Sequence, residues 1–212
     1  MKLFSIDSPV MRFLTQCGDL IILNLLWLVC CLPIVTIGAS TTALYSCLLN
    51  RSTESSTIRK FFLAFKSNFK QSTILLLIAF LGFIFVYVNI GFYLNNHGSQ
   101  SFVVKVLTLI PSVLILTVES YIFPLQAHFD NKIKQTVRNS ILICIAHFPT
   151  SLLVTVINLL PIITIVIDVE FFLKISAVLL LMGGATLAYI NALLFQRVFA
   201  QYVSEEVIET TR

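Results

Sequence analysis

Four long apolar runs, at residues 72–94, 102–127, 139–167 and 173–199, leave the later two thirds of the chain with few residues that can face water. Each run meets or exceeds the roughly 20 residues a helix needs to cross a hydrocarbon core about 30 Å thick. In lipid every backbone N–H and C=O must be paired inside the protein, which admits only helices or a closed barrel. Runs this long, without strict two-residue alternation, read as helices. Composition points the same way. The 212 residues are 58% hydrophobic and 11% charged, with mean hydropathy +0.95, where soluble domains carry about 25% charged residues. No polar stretch is long enough to fold as a separate soluble enzyme, so residues 1–212 read as a single membrane domain whose function lies in the bilayer or at its faces.

Residues 11–50 are harder to read, being too long for one span and interrupted at Cys31-Leu32-Pro33-Ile34-Val35-Thr36-Ile37-Gly38. Proline and glycine five residues apart suggest a turn between two helices. We read a hairpin with arms at 11–32 and 34–50, the second short and rich in small residues from Gly38 to Ala43, which suits close helix packing. The rival is one long or re-entrant segment. Charge distribution weighs between them, because cytoplasmic loops collect Lys and Arg. With six spans and a cytoplasmic N-terminus, twelve of the fourteen Lys and Arg residues fall inside, leaving only Lys105 and Lys174 outside. With a single first span the split is ten to four. Six spans fit better, and both termini are expected in the cytoplasm of a multi-pass cell-membrane protein. The apolar run Leu20–Leu32 mimics a secretory signal, but Asp19 interrupts its approach and no small-residue cleavage site follows.

Between the second and third spans, residues 57–70 are amphipathic. Ile58, Phe61, Phe62, Phe65 and Phe69 recur at helical spacing, with Arg59, Lys60, Lys66 and Lys70 mostly on the other side. This pattern predicts a helix lying in the cytoplasmic interface, its apolar face in the acyl boundary and its cations near anionic lipid. It is either a topology anchor or a docking surface for a partner. A short echo accompanies it: F-x(4)-K-Q-[ST] ends at Lys70-Gln71-Ser72 before one hairpin and at Lys134-Gln135-Thr136 before the next.

Ionisable groups inside spans are costly and are functional suspects. Glu119 lies in the fourth span, about 13 Å from its cytoplasmic end at about 1.5 Å per residue. His147 lies at similar depth in the fifth, so a Glu119–His147 pair is expected. Asp19, Asn24 and Asn191 fall on the same side of the membrane, and Pro124 and Pro149 flank the expected pair. These groups either glue helices together or line a substrate or ion site. Asn89 and Asn158 read as glue, Asp168 and Glu170 as solvated residues of the last external loop, and Gly183-Gly184 as a close helix contact.

The remaining chemistry is sparse. Cys17, Cys30, Cys31, Cys47 and Cys144 lie in or beside apolar runs, in no C-x-x-C pair and at no zinc-like spacing from His97, His128 or His147. No G-x-S-x-G, H-E-x-x-H, P-loop or G-x-G-x-x-G motif is present. We therefore expect no catalytic residue, metal or cofactor. Without a folded basic domain, no nucleic-acid partner is expected either.

Gly18-Asp19, Asn24 and Trp27, followed by Cys31-Leu32-Pro33, Thr36, Gly38-Ala39-Ser40, Ala43 and Tyr45, resemble the N-terminal signature of the YesL family of small integral membrane proteins of Gram-positive bacteria. The resemblance continues through Phe61, Phe62, Phe65, Lys66, Asn68, Phe69, Lys70 and Gln71, and again at Glu119, Tyr121, Phe123, Pro124, Leu125, Phe129 and Asn131. No activity is established for that family. Its members' proximity to carbohydrate uptake systems implies a role beside sugar ABC transporter subunits, although the E-A-A-x(3)-G coupling segment of ABC permeases is absent here. The expectation is an all-α bundle of six spans plus one interfacial helix. It would be a non-enzymatic accessory component of carbohydrate uptake, with a homo-oligomer compatible. The alternative is a small proton-linked transporter using Glu119 and His147.

Overall fold

The computed structural model describes residues 9–50, 56–95 and 102–210, whose regular structure is all helical. Lys2, Arg51, His97 and Arg212, used above, lie outside the described residues. The order is α1 (Pro9–Cys31), a 3-10 turn (Ile34–Thr36), α2 (Ile37–Leu49), α3 (Thr57–Asn95), α4 (Phe102–His128), α5 (Ile133–Ala146), α6 (Phe148–Ile167), α7 (Val169–Val178), a π-helical segment (Leu179–Gly183) and α8 (Gly184–Thr210). Among the described residues five helices, broken or continuous, are long and apolar enough to cross a membrane. This is the character of a multi-pass membrane protein.

Pro33 does turn the chain. Its extended backbone (φ −78°, ψ 126°) stops α1, and the hydroxyl of Thr36 lies 2.6 Å from the Cys30 carbonyl that the break exposes. Trp27 Nε1 then donates to Thr41 Oγ1 at 3.2 Å, and Ser40 Oγ donates to the Trp27 carbonyl at 3.0 Å. These pairs make α1 and α2 an antiparallel hairpin. The second arm differs from the expected span at 34–50. The 3-10 turn consumes its start, and α2 has 13 residues, nine of them buried. At about 1.5 Å per residue it is about 20 Å long, too short to cross the core alone. Small residues explain its position. A Cβ on Gly38 would strike the Ser72 carbonyl and lie 3.1 Å from Leu76 and Phe123, so α2, α3 and α4 meet at that glycine.

The separate interfacial helix at 57–70 is not formed. Those residues are the start of α3, one helix of 39 residues, because neither proline nor glycine occurs between Thr57 and Gly82 to end it. The aromatic stripe is used differently from the expectation. Phe61 is 0% exposed within the core and stacks on the partly buried Phe65, whereas Phe62 is 48% exposed. Helices α3 and α4 are antiparallel, since Gln71 meets Gln126 and Gly82 meets Glu119.

The expected span at 139–167 is two helices. His147 leaves helical geometry (φ −116°, ψ 43°) just before Pro149 in the first turn of α6, although its N–H still reaches the Ile143 carbonyl at 2.9 Å. The loop expected before the last span shrinks to Asp168, whose carboxylate caps α7 by accepting from the Phe171 N–H at 2.9 Å. The final helical stretch therefore begins at Val169, four residues before the expected 173.

Candidate functional site

The five intramembrane polar residues do not gather into one site. Asp19, in α1, accepts from Thr57 Oγ1 at 2.9 Å. This places a carboxylate at the N-terminus of α3, where the helix dipole favours it. Asn191 Nδ2 donates to Asn158 Oδ1 at 2.6 Å, and Asn158 Nδ2 donates to Ser120 Oγ at 3.3 Å, joining α8, α6 and α4. Asn158 thus acts as helix glue, while Asn89 bonds only within its own helix, to Phe85 O.

Asn24 has the most specific partners. Fully buried in α1, it donates from Nδ2 to the Leu180 carbonyl at 2.7 Å and accepts from the Ala185 N–H at 2.9 Å. Leu180 and Ala185 are five residues apart, the spacing of one π-type bond. The carboxamide of Asn24 stands between them and satisfies both groups. Gly184 completes the contact, since a Cβ there would press into the ring of Trp27 and lie 3.1 Å from Asn24 Oδ1. Asn24, Trp27 and Gly184 therefore form one interlocked joint between α1 and the last helix.

The expected Glu119–His147 pair does not form. His147 sits at the α5–α6 break, with Nε2 3.2 Å from the hydroxyl of Tyr202 on α8. The pairing presumed a straight fifth span, and the break before Pro149 puts the imidazole against α8 instead. Glu119 faces α3 and α5. Its Oε1 is enclosed and has no hydrogen-bond partner. Gly82 lies so close that an added Cβ would overlap that oxygen. Past the carboxyl is a recess of about 240 Å³ lined by Ile78, Gly82, Leu114, Ile115, Val137 and Ile141, among others.

A polar ladder went unmarked in the sequence. Gln126 on α4 donates through Nε2 to Gln71 Oε1 and, at 3.3 Å, to Asn68 Oδ1; its Oε1 accepts from Thr136 on α5 at 2.9 Å. Beside it the hydroxyls of Thr42 and Ser72 are 2.9 Å apart. The K-Q-[ST] echo was its signal: Ser72 and Thr136, at equivalent places in the two copies, are both buried and both bonded to another helix.

On the opening third of α3, Ile58, Phe62, Leu63 and Phe69 are exposed alongside Arg59, Lys66 and Lys70. Lys60 and Phe65 are half-buried, and Phe61 is withdrawn into the core, so it is no part of an open face.

Residues 20–90 match the model of a family described as a protein of unknown function, DUF624. The match covers about a third of the chain, from within α1 to near the end of α3, including Asn24, the Pro33 turn and the exposed face of α3. It supports an uncharacterised family over the first two blocks of the YesL resemblance without naming that family. No curated protein and no solved structure matches the chain.

Proposed function

We propose that the protein is a non-enzymatic membrane component that holds a partner at the cytoplasmic face, the partner being a subunit of a carbohydrate import system. The observation that carries this reading is the division of labour among its residues. Asp19, Asn24 and Asn191 are bound to other helices inside the bundle. Phe62, Phe69, Arg59, Lys66 and Lys70 stand exposed along one helix start. Both termini and this helix start lie on the cytoplasmic side, the orientation favoured by the cation bias, with anionic lipid headgroups around the lysines. The sugar-transporter identity of the partner rests on the YesL resemblance alone. Crosslinking in native membranes, affinity purification and mass spectrometry test the reading. Transporter subunits are recovered with the wild type and lost with Phe62→Ser/Phe69→Ser, which spares the buried Phe61. Recovery of the protein alone, or as a homo-oligomer only, overturns it.

One observation favours a second reading, a small proton-linked carrier: Glu119 lies in a membrane-crossing candidate, and its enclosed Oε1 has no hydrogen-bond partner among the described residues. His147 drops out of that route because it bonds Tyr202. Flux into proteoliposomes that is abolished by Glu119→Gln supports the carrier, and unchanged flux removes it.

A further inference from the structure

An acidic side chain in an apolar span costs free energy unless something compensates it. Around Glu119 the protein supplies no compensation. Oε1 is held against Gly82 without a donor, the rest of the carboxyl lines the open recess, and no hydrogen bond or ion pair reaches the side chain among the described residues. The arrangement is nonetheless built. Gly82 removes the one side chain that would displace the carboxyl, and Ile115 Cγ2 stands 3.0 Å from where a Cβ would be. The recess beyond has apolar walls, and three of them, Ile78, Leu114 and Ile141, reach the outer surface of the helices. Both helices that hold Glu119 and Gly82 are membrane-crossing candidates, so that surface faces lipid.

The chemistry of the recess narrows its occupant. An ordered water needs two to four polar partners, about one more than this space offers at the least. A dehydrated divalent cation needs about six oxygens, and a hydrated one would set its waters against the apolar walls. A fatty acid carboxylate would set one anion against another, and an alcohol offers a single neutral hydrogen bond where an ammonium offers charge-assisted ones. A volume of about 240 Å³ is below that of a drug-sized site, about 300 Å³ and up. It takes a small headgroup and a few methylenes, with the rest of a chain left in the bilayer.

We infer that Glu119 and Gly82 form a lipid-facing binding site for a singly charged alkylammonium amphiphile, the ammonium on the carboxyl and the alkyl chain along Ile78, Leu114 and Ile141. The inference goes beyond partner docking and uses the carboxyl of the carrier reading without requiring transport. Equilibrium binding involves no gradient, so its failure is distinguishable from a failure of flux.

The probe is radiolabelled dodecylamine, bound to the full-length protein in phosphatidylcholine nanodiscs, with the signal of empty discs subtracted. Saturable binding is expected, weakened about tenfold or more by Glu119→Gln, the loss of one charge-assisted contact. Gly82→Val, which displaces the carboxyl, has the same effect. Should either variant fail to fold, Ile141→Trp fills the recess and leaves the carboxyl in place, and it too abolishes binding. Dodecanoic acid does not compete, and dodecanol competes at least about tenfold more weakly than the amine. Absence of saturable binding, binding unchanged in all three variants, or equal competition by dodecanol each overturns the inference.

Discussion

Replacing Asn24 by leucine removes a side chain that bonds two backbone groups of another helix at once. The residue is fully buried, and its partners, Leu180 O at 2.7 Å and Ala185 N at 2.9 Å, lie in the π-helical segment and just past its end. A buried group left unpaired costs about 1–3 kcal/mol, and interhelical hydrogen bonds in membrane bundles contribute about 0.6–2 kcal/mol. If α8 holds its shape, the two losses together destabilise the protein by about 2–5 kcal/mol. If the segment closes on itself, joining Leu180 O to Ala185 N, the cost falls, but the wall around Trp27 changes. The chain has a single tryptophan, and Gly184 lies against its ring. Trp27 fluorescence therefore reports the second outcome, and reversible unfolding in a denaturing detergent reports the first. Asn89→Leu is the control, because Asn89 bonds only to Phe85 O of its own helix, at 2.9 Å. Stability within about 0.5 kcal/mol of the wild type, together with an unchanged Trp27 spectrum, would refute the interlocked joint.

Other expectations follow from the same packing. Phe61→Ala should cost about 3–5 kcal/mol, as truncation of a fully buried phenylalanine does, while Phe62→Ala leaves unfolding within about 1 kcal/mol of wild type; detergent unfolding of the two variants checks the contrast. Gly184→Ala, which forces a methyl into the Trp27 ring, should destabilise by about 1–3 kcal/mol and shift Trp27 emission. Gln71→Leu and Gln126→Leu each break the ladder between α3 and α4, so their combined loss should fall short of the sum by about 0.5 kcal/mol or more in a double-mutant cycle. For topology, a cysteine at Lys134 in a cysteine-free background should react with an impermeant maleimide only after cells are opened, and one at Lys174 should react on intact cells. The reverse pattern would overturn the cytoplasmic placement of the α3 face.

What the residues determined by themselves was local or additive. Apolar length made the chain helical and membrane-like, because lipid leaves the backbone no other partners. Pro33 marked the hairpin, because a proline ring removes an N–H and blocks the preceding turn wherever it stands. Pro149 sat in plain view as well, yet a reading of hydropathy alone ran 139–167 through it. Tertiary structure decided everything that depends on how one helix is rotated against another. The amphipathic stripe at Phe61 and Phe65 was legible, but whether it met lipid or protein depended on where α2 and α8 lay, and the core took Phe61. Depth alone paired Glu119 with His147. The break at His147 and the side of α4 on which Glu119 stands separated them, sending one to Tyr202 and the other to Gly82. Asn24 was a suspect from its place in an apolar span, but its partners lie more than 150 residues away, in a π-helical segment and at the start of α8. Spacing along the chain carries no record of contacts made at that separation, where helix register and small residues at the crossing set the distances.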